Sequence, residues 1–477
     1  MADSRTYAGK FLGRINERVN WHSHFTLFIL SLLVAFSLFY FVSNPEFTDT
    51  QNYVLFILFL SIALWVTEAI PPFAVGILII GFLVFSIGND EPENVKKYVQ
   101  TWSDSVIWLF LGGFFLAEGM KKTGLDKDLL KITVPKFGEK SSVILLGLMM
   151  LTAVLSMLMS NTATTAMMIA TISPILKTLG TKSPLSKNLL IGIPASASIG
   201  GMGTIIGSAP NAIVVGALDG VGIQITFLEW MMFGIPIALI LILSFWFVLL
   251  KKNPIKTKTL QLNHLFNTAD ERQPYKHAQL HKRITLIILV LTLLMWLTSG
   301  FTGIPVAAVS AIPIVGLTMF SIIESDEVRS LPWDTLMLVA GGLALGLAVQ
   351  EQGLAQYFVS LIPASEINLY LLYIAFGLFT VVFSNIMSNT ATATIFIPIA
   401  ISLIKSIDVS NSITLPMIIG LSASCALLLP VSTPPNAIAF STGMLKQSDF
   451  RLGGIFIGLI GPFVVMLWCL LLVSLFY

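Results

Sequence analysis

Two nearly identical stretches of small polar residues stand inside apolar segments of this sequence. They read MSNTATTAMM at 159–168 and MSNTATATIF at 387–396. Serine, asparagine and threonine are favoured helix N-caps, and a helix N-terminus offers free N–H groups and a positive dipole end to an anion. Their hydroxyl and amide groups add neutral hydrogen-bond donors. The two motifs therefore predict two anion-binding points, each suited to one carboxylate group.

A second pair of motifs breaks two other apolar segments. SAPNAI at 208–213 follows the glycine-rich run 200–207, and TPPNAI at 433–438 follows LPVS at 429–432. Proline and glycine interrupt helices, and carbonyl groups of an unwound membrane helix can coordinate a cation. Oxygen-rich cages of this kind suit hard cations such as Na⁺. Four side chains could complete two cages: Ser156, Asn161, Ser384 and Asn389.

These motifs lie in a chain whose composition is that of a membrane protein. Of its 477 residues, 55% are hydrophobic and 11% charged, and the mean hydropathy is +0.87, which excludes a soluble globular protein. Apolar runs of spanning length recur throughout, at 25–43, 52–68, 72–88, 227–250, 284–299, 304–323 and 452–477. We therefore predict an all-α polytopic membrane protein in which the membrane region is the whole fold.

Several function classes are disfavoured. The net charge of +2 is too small for a nucleic-acid-binding face, so we expect no nucleic-acid partner. Cys425 and Cys469 stand in apolar stretches without metal-ligand spacing. An enzyme would need a cluster of acids, bases or metal ligands within the spans, and a channel would need a selectivity ring. A transporter is favoured, with an anion channel as a distant alternative.

Charged loops predict the orientation. Lysine and arginine concentrate at 1–24, 120–140, 177–187 and 251–283, and such loops lie on the cytoplasmic side. We therefore expect a cytoplasmic N-terminal segment, 1–24, a cytoplasmic linker, 251–283, and a C terminus outside, in the cell membrane.

The chain also contains an internal duplication. Segment 106–125 aligns with 335–354, and the two pairs of motifs follow in the same order at nearly constant offset. Counting crossings from a cytoplasmic N terminus indicates that the copies are inverted. The first part, 25–250, would hold one repeat and the second part, 284–477, the other.

Each repeat should contain a re-entrant hairpin and a broken helix. Segment 142–176 is flanked by Lys140 and Lys177, so both of its ends carry cytoplasmic markers and its polar centre forms a tip near mid-membrane. Its copy, 368–405, would enter from the other side. The broken helices are predicted at about 187–217 and 411–445. Unpaired backbone groups at such breaks must face protein, water or ligand.

At this point the sequence resembles the divalent anion/sodium symporter family, the INDY-type dicarboxylate and citrate carriers. The resemblance rests on WVTEAIP at 65–71, on both SNT motifs and on LPVSTPPNAI at 429–438. It implies about eleven transmembrane helices, two re-entrant hairpins, homodimers formed through a scaffold domain and elevator-like movement of a transport domain.

The resemblance also implies site residues. The substrate contacts would be Ser160, Asn161, Thr162, Ser208, Ser388, Asn389, Thr390, Thr433 and Pro434. The first cation site would use Ser156, Ser160, Asn161 and the Gly207 carbonyl, and the second Ser384, Asn389 and the carbonyls of Met387 and Ser432.

Three positions depart from the family pattern. Ala209 replaces a proline, Asn385 replaces the acidic residue that sodium-coupled members commonly carry, and Ser432 replaces alanine or glycine. We therefore expect a secondary transporter of four- or five-carbon dicarboxylates, such as succinate, malate, fumarate or 2-oxoglutarate, working by alternating access. Sodium symport and sodium-independent exchange stay open at this point, with Na⁺ as coupling ion in the first case and no other cofactor.

Overall fold

The computed structural model describes residues 21–88, 92–181, 183–255, 259, 278–360, 368–406, 413–430 and 432–476. Most of the predicted N-terminal segment and most of the predicted linker lie outside these residues. The described part of the chain is helical and contains no β-strand. The predicted all-α class is confirmed.

Eleven α-helices are found among the described residues of the first half. They are α1 (Trp21–Val42), α2 (Asp49–Thr67), α3 (Pro72–Ile87), α4 (Pro92–Gln100), α5 (Ser105–Thr123), α6 (Leu125–Thr133), α7 (Ser141–Ser156), α8 (Asn161–Leu179), α9 (Pro184–Gly200), α10 (Ala209–Asp219) and α11 (Phe227–Lys252). Two short 3₁₀ turns, Gly201–Gly203 and Ile205–Gly207, join α9 to α10.

The described residues of the second half also form eleven α-helices. They are α12 (Ala278–Leu297), α13 (Ser299–Thr302), α14 (Val306–Met319), α15 (Ser325–Arg329), α16 (Trp333–Glu351), α17 (Leu354–Ser360), α18 (Leu369–Ile386), α19 (Asn389–Ser406), α20 (Thr414–Ala423), α21 (Pro434–Ser441) and α22 (Arg451–Phe476).

Seven of the described helices are long and apolar enough to cross a membrane, namely α1, α2, α11, α12, α16, α18 and α22. Others, including α3, α7, α14 and α20, are apolar but shorter. Large apolar side chains of these helices are exposed, among them Phe41, Phe85 and Phe247. Such exposure is ordinary on a surface that faces lipid.

The helices are named here in two groups, a site body and a frame. The site body consists of α7 to α11 and α18 to α22, with α9 packed on α7, α8, α11 and α21. The frame consists of α1 to α6 and α12 to α17, and its helices α3 and α16 make the most extensive helix pair. Glycine permits this approach, because a Cβ on Gly341 would lie 2.2 Å from Gly76 Cα. The frame meets the site body where α16 packs on α10 and α19, where α17 packs on α19 and where α5 packs on α10.

Two charged segments between apolar runs, one of them the predicted loop 120–140, contain helix. Segment 89–103 includes α4, on which Val95 and Tyr98 are buried one turn apart while Lys96 is exposed. Segment 120–140 includes the last turn of α5 and all of α6. Both α4 and α6 are nine residues long and too short to span a membrane. The charged residues of α6 led to the prediction of a loop at 120–140.

Candidate functional site

The first SNT motif lies at a helix break. Helix α7 ends at Ser156 and α8 begins at Asn161, with Ser160 as its N-cap. The Ser160 hydroxyl accepts a hydrogen bond from the Ala163 N–H at 3.2 Å. The N–H groups of Asn161 and Thr162 have no hydrogen-bond partner among the described residues. Two donors at the positive end of α8 are therefore free to bind an anion.

The second SNT motif repeats this arrangement. Helix α18 ends at Ile386 and α19 begins at Asn389. The Ser388 hydroxyl accepts from the Ala391 N–H, again at 3.2 Å. In the described structure the N–H groups of Asn389 and Thr390 find no partner either. Each motif thus caps its helix with serine and leaves the amides of asparagine and threonine available.

The break between α9 and α10 is held by an asparagine. The buried Asn211 side chain donates from Nδ2 to the carbonyls of Gly201 at 2.8 Å and Thr204 at 2.7 Å. Without these bonds the Gly201 carbonyl would lose the Asn211 donor, and the Thr204 carbonyl would keep only the longer bond from the Gly207 N–H at 3.3 Å. The proline-asparagine motif therefore stabilises the break in this half.

Asn436 does the same for the break between α20 and α21. Its Nδ2 donates to the carbonyls of Leu429 at 3.1 Å and Leu427 at 3.4 Å. These bonds are longer than those of Asn211, so the second break is held less tightly.

One cavity of about 560 Å³ brings the four breaks together. All nine predicted substrate residues line it: Ser160, Asn161, Thr162, Ser208, Ser388, Asn389, Thr390, Thr433 and Pro434. Of the predicted cation residues, Asn161, Gly207, Asn389 and Ser432 line it as well. Ser156, Ser384 and Met387 do not line it and are buried.

Sequence reasoning missed the opposite wall, which the frame supplies. Its residues are Pro72, Phe73, Phe110, Phe114, Pro332, Asp334, Thr335 and Leu338. Six helices begin at the cavity, namely α3, α8, α10, α16, α19 and α21. Each helix start carries roughly half a positive charge, while no lysine or arginine appears in the described lining. The arrangement can hold an anion with neutral donors and helix dipoles.

The first candidate cation site centres on Asn161. One end of its side-chain amide points at three oxygens: Ser156 Oγ at 2.6 Å, the Ala197 carbonyl at 3.1 Å and the Gly207 carbonyl at 3.2 Å. An amide nitrogen there would have two N–H donors for these three oxygens. With the amide oxygen there, four oxygen atoms lie close together, and a hard cation could be coordinated by all four. The Ala197 carbonyl was not among the predicted ligands, because any residue type can supply a carbonyl.

The second candidate cation site contains unpaired oxygens. Ser384 Oγ and Asn389 Oδ1 are buried and have no hydrogen-bond partner in the described structure. Other buried hydroxyls of the described chain, such as those of Ser141 and Ser186, also have no partner. These two oxygens stand apart because both were predicted ligands of one cation, which would give each of them a partner. Both donor sets consist of oxygen atoms, which suits Na⁺ and not a soft metal.

Asn385 lies beside this second site but has partners of its own. Its Nδ2 donates to the Val381 carbonyl at 2.8 Å, and its Oδ1 accepts from the Leu428 N–H at 2.9 Å. Both polar atoms bind backbone. Asn385 therefore links α18 to the segment that follows α20 by a hydrogen bond.

Comparisons with known proteins agree with this architecture. A family model described as the sodium:sulfate symporter transmembrane region matches residues 22–475. An uncharacterized transporter of Haemophilus influenzae is 32% identical over 470 residues, which cover 93% of this chain and 96% of that protein.

Two staphylococcal relatives are similar over a comparable length. The sodium-dependent dicarboxylate transporter SdcS of Staphylococcus aureus (strain USA300) is 30% identical over 474 residues, and that of Staphylococcus saprophyticus is 29% identical over 474 residues. In both cases the match covers 92% of this chain and 88% of the relative. Among solved structures, the YdaH transporter of Alcanivorax borkumensis has a similar fold, with a TM-score of 0.53 and 13% identity over 79% of this chain and 86% of that one.

Proposed function

The chain belongs to the sodium:sulfate symporter family of membrane transporters, and from this premise we propose that it carries four- or five-carbon dicarboxylates together with Na⁺. Succinate, malate, fumarate and 2-oxoglutarate are the expected substrates. The protein is a multi-pass membrane transporter and not an enzyme.

One observation carries the proposal: two SNT helix starts with matching free N–H pairs line a single cavity that has no basic side chain in its described lining. Ser160, Asn161 and Thr162 would bind one carboxylate, and Ser388, Asn389 and Thr390 the other. Ser208, Thr433 and Pro434 would contact the carbon chain between them. A substrate with two carboxylates uses both helix starts at once, whereas a monocarboxylate uses one.

Sodium fits the same site. Ser156, Asn161 and the carbonyls of Ala197 and Gly207 would hold one ion, and Ser384, Asn389 and the carbonyls of Met387 and Ser432 a second. A bound Na⁺ would supply positive charge next to each SNT motif. Because Asn161 and Asn389 belong to both a cation site and the substrate cavity, ion binding would order the residues that bind the dianion, which gives coupling between the two. The sodium-dependent relatives support this assignment.

Alternating access would follow from the inverted repeat. The alignment of 106–125 with 335–354 and the two matching pairs of helix breaks support two related halves. We propose that the site body moves against the frame, with the N terminus and the lysine-rich linker cytoplasmic and the C terminus outside. The homodimer and the elevator-like form of the movement stay predictions from the family resemblance.

Sodium-independent exchange is the second candidate, favoured by Asn385. This residue stands where sodium-coupled members commonly carry an acid, and both of its polar side-chain atoms are bound to backbone. An exchanger would use the same cavity and move one dicarboxylate against another.

Uptake of labelled succinate into proteoliposomes tests both candidates. Vesicles are left empty or loaded with malate, and each set is assayed with and without an inward sodium gradient. Sodium-driven uptake into empty vesicles supports symport. Uptake only into loaded vesicles, with no effect of sodium, supports exchange. Uptake into neither set contradicts dicarboxylate transport.

A further inference from the structure

A second cavity, of about 470 Å³, lies beside the first. Ile205 lines the second cavity and its neighbour Ile206 the first. Helix α10 runs from one to the other: Pro210 at its start lines the first cavity and Asp219 at its end lines the second. At a helical rise of about 1.5 Å per residue, these two positions are about 14 Å apart along the axis.

The frame walls of the two cavities are built from corresponding helix starts. Asp334, in the first turn of α16, lines the first cavity, and Ser105, at the start of α5, lines the second. Because 335–354 aligns with 106–125, Ser105 and Asp334 occupy equivalent positions in the two repeats.

The neighbouring helices correspond in the same way. IPPFAVG at 70–76 opens α3, whose Pro72 lines the first cavity, and IPVAAVS at 304–310 opens α14, whose Val306 lines the second. The frame therefore presents the same pair of helix starts twice, once beside the SNT motifs and once away from them.

We infer that the second cavity is the chamber that receives the substrate site in the opposite-facing state, and that Asp334 weakens dianion binding on the side where the site lies in this structure. This inference rests on the proposed dicarboxylate transport. In this state the SNT motifs face a carboxylate across the cavity. In the opposite state they would face the Ser105 hydroxyl instead.

The charges near each wall support this asymmetry. Asp334 is the one ionisable side chain in the described lining of the first cavity, and it belongs to the frame, so it would not travel with the substrate. Asp219 lines the second cavity, but it lies on α10 and would move away with the site body. Asp104 precedes Ser105, and its carboxylate accepts from the Val106 N–H and is not among the second cavity's lining residues.

A fixed carboxylate across a water-filled cavity repels a dianion modestly. For a dianion roughly 10 Å from one carboxylate, Coulomb repulsion corresponds to roughly a two-hundredfold change in affinity at an effective dielectric constant near 20, and to about fourfold at the dielectric constant of bulk water. Water and salt in the cavity bring the effect toward the lower value. On the side that Asp334 faces, we therefore expect the half-saturation concentration to be about five- to tenfold higher in the wild type than in a variant without this charge. The group is part of the protein in every state, so it cannot change the accumulation reached at equilibrium.

The experiment measures the half-saturation concentration of succinate separately from each face of the membrane, in proteoliposomes. A cysteine introduced in a surface loop lets a membrane-impermeant thiol reagent inactivate the transporters of one orientation. Asp334→Ser should lower half-saturation about five- to tenfold on one face and less than twofold on the other, with unchanged final accumulation. Asp334→Glu should keep the wild-type asymmetry. Asp326→Ser is the matched control, because Asp326 is exposed on α15, pairs with Arg329 and lines neither cavity.

Ser105→Asp provides the reciprocal test: it should weaken half-saturation on the face that Asp334→Ser leaves unchanged. If Asp334→Ser transports succinate with the wild-type half-saturation on both faces, the inference is wrong while dicarboxylate transport stands. If the wild-type protein itself transports no dicarboxylate, the proposed function fails first. Equal changes on both faces would place Asp334 in the binding site without side dependence and would also overturn the inference.

Discussion

Ser156 Oγ lies 2.6 Å from the side-chain amide of Asn161, across the break that separates α7 from α8. The same hydroxyl is 2.7 Å from the Ala197 carbonyl. A hydroxyl has one proton, so it can donate to one of these oxygens at a time. With the Asn161 amide oxygen facing Ser156, a cation among these oxygens would let Ser156 act as an acceptor. Because Ser156 is buried and lies outside the described cavity lining, we assign it to the proposed ion site and not to the substrate.

We therefore expect Ser156→Ala to weaken sodium binding while leaving the substrate cavity intact. The half-saturation for sodium in succinate uptake should rise about tenfold, the equivalent of roughly 1.4 kcal/mol, and the maximal rate should recover at high sodium. Ser141→Ala is the control, since Ser141 is a buried serine on the same helix, away from the break. An unchanged sodium dependence in Ser156→Ala would remove this residue from the cation site.

Two adjacent residues of α18 should behave in opposite ways. Ser384 has a buried hydroxyl without a partner in the described structure, so Ser384→Ala removes no hydrogen bond and should leave the melting temperature nearly unchanged. It should raise the half-saturation for sodium. Asn385→Ala leaves the Leu428 N–H without its acceptor and should cost about 1–3 kcal/mol of stability.

Two measurements on both variants check these opposite effects: thermal unfolding in detergent and sodium titration of uptake. Asn385→Ala should keep sodium half-saturation within about twofold of wild type at temperatures where it stays folded. If Asn385→Ala abolishes sodium dependence without loss of stability, Asn385 takes part in ion binding. Its role would then not be the structural one that its hydrogen bonds to the backbone indicate.

The sequence located the helix breaks because Ser, Asn, Thr, Gly and Pro stand out in apolar segments. The same contrast could not reveal the frame wall. Phe110 and Phe114 look like any apolar residues of a span, and an acid in the first turn of a helix, as at Asp334, is common. The backbone carbonyl of Ala197 has no side-chain signature. The signal that was available is the repeat itself, since Asp334 immediately precedes one copy of the aligned segment and Ser105 the other.

The two asparagines that hold the broken helices should differ in their contribution. Asn211 is fully buried and bonds two carbonyls at 2.7 and 2.8 Å, whereas Asn436 bonds its carbonyls at 3.1 and 3.4 Å. Asn211→Ala should therefore lower stability by about 2–4 kcal/mol and Asn436→Ala by about half as much. Melting temperatures of the two variants test the order, with Asn44→Ala as the control, because Asn44 lies in the loop before α2 and its side chain makes a single local hydrogen bond, from the Glu46 N–H. A larger loss in Asn436→Ala would contradict it.

The charge state of the substrate gives a prediction that involves no mutation. Free N–H pairs at the starts of α8 and α19 should bind a carboxylate more tightly than a protonated carboxyl, because the helix dipole favours negative charge and a protonated carboxyl is a poorer acceptor. As the pH falls through the second ionisation of succinate, half-saturation in total succinate should rise, while half-saturation calculated for the dianion should stay constant. Fumarate is the control, because its second carboxyl is more acidic and its rise should begin at lower pH. A rise at the same pH for both substrates would instead report a titrating group of the protein. A constant half-saturation in total succinate would mean that the monoanion binds as well as the dianion. That outcome would contradict anion binding by two neutral helix starts.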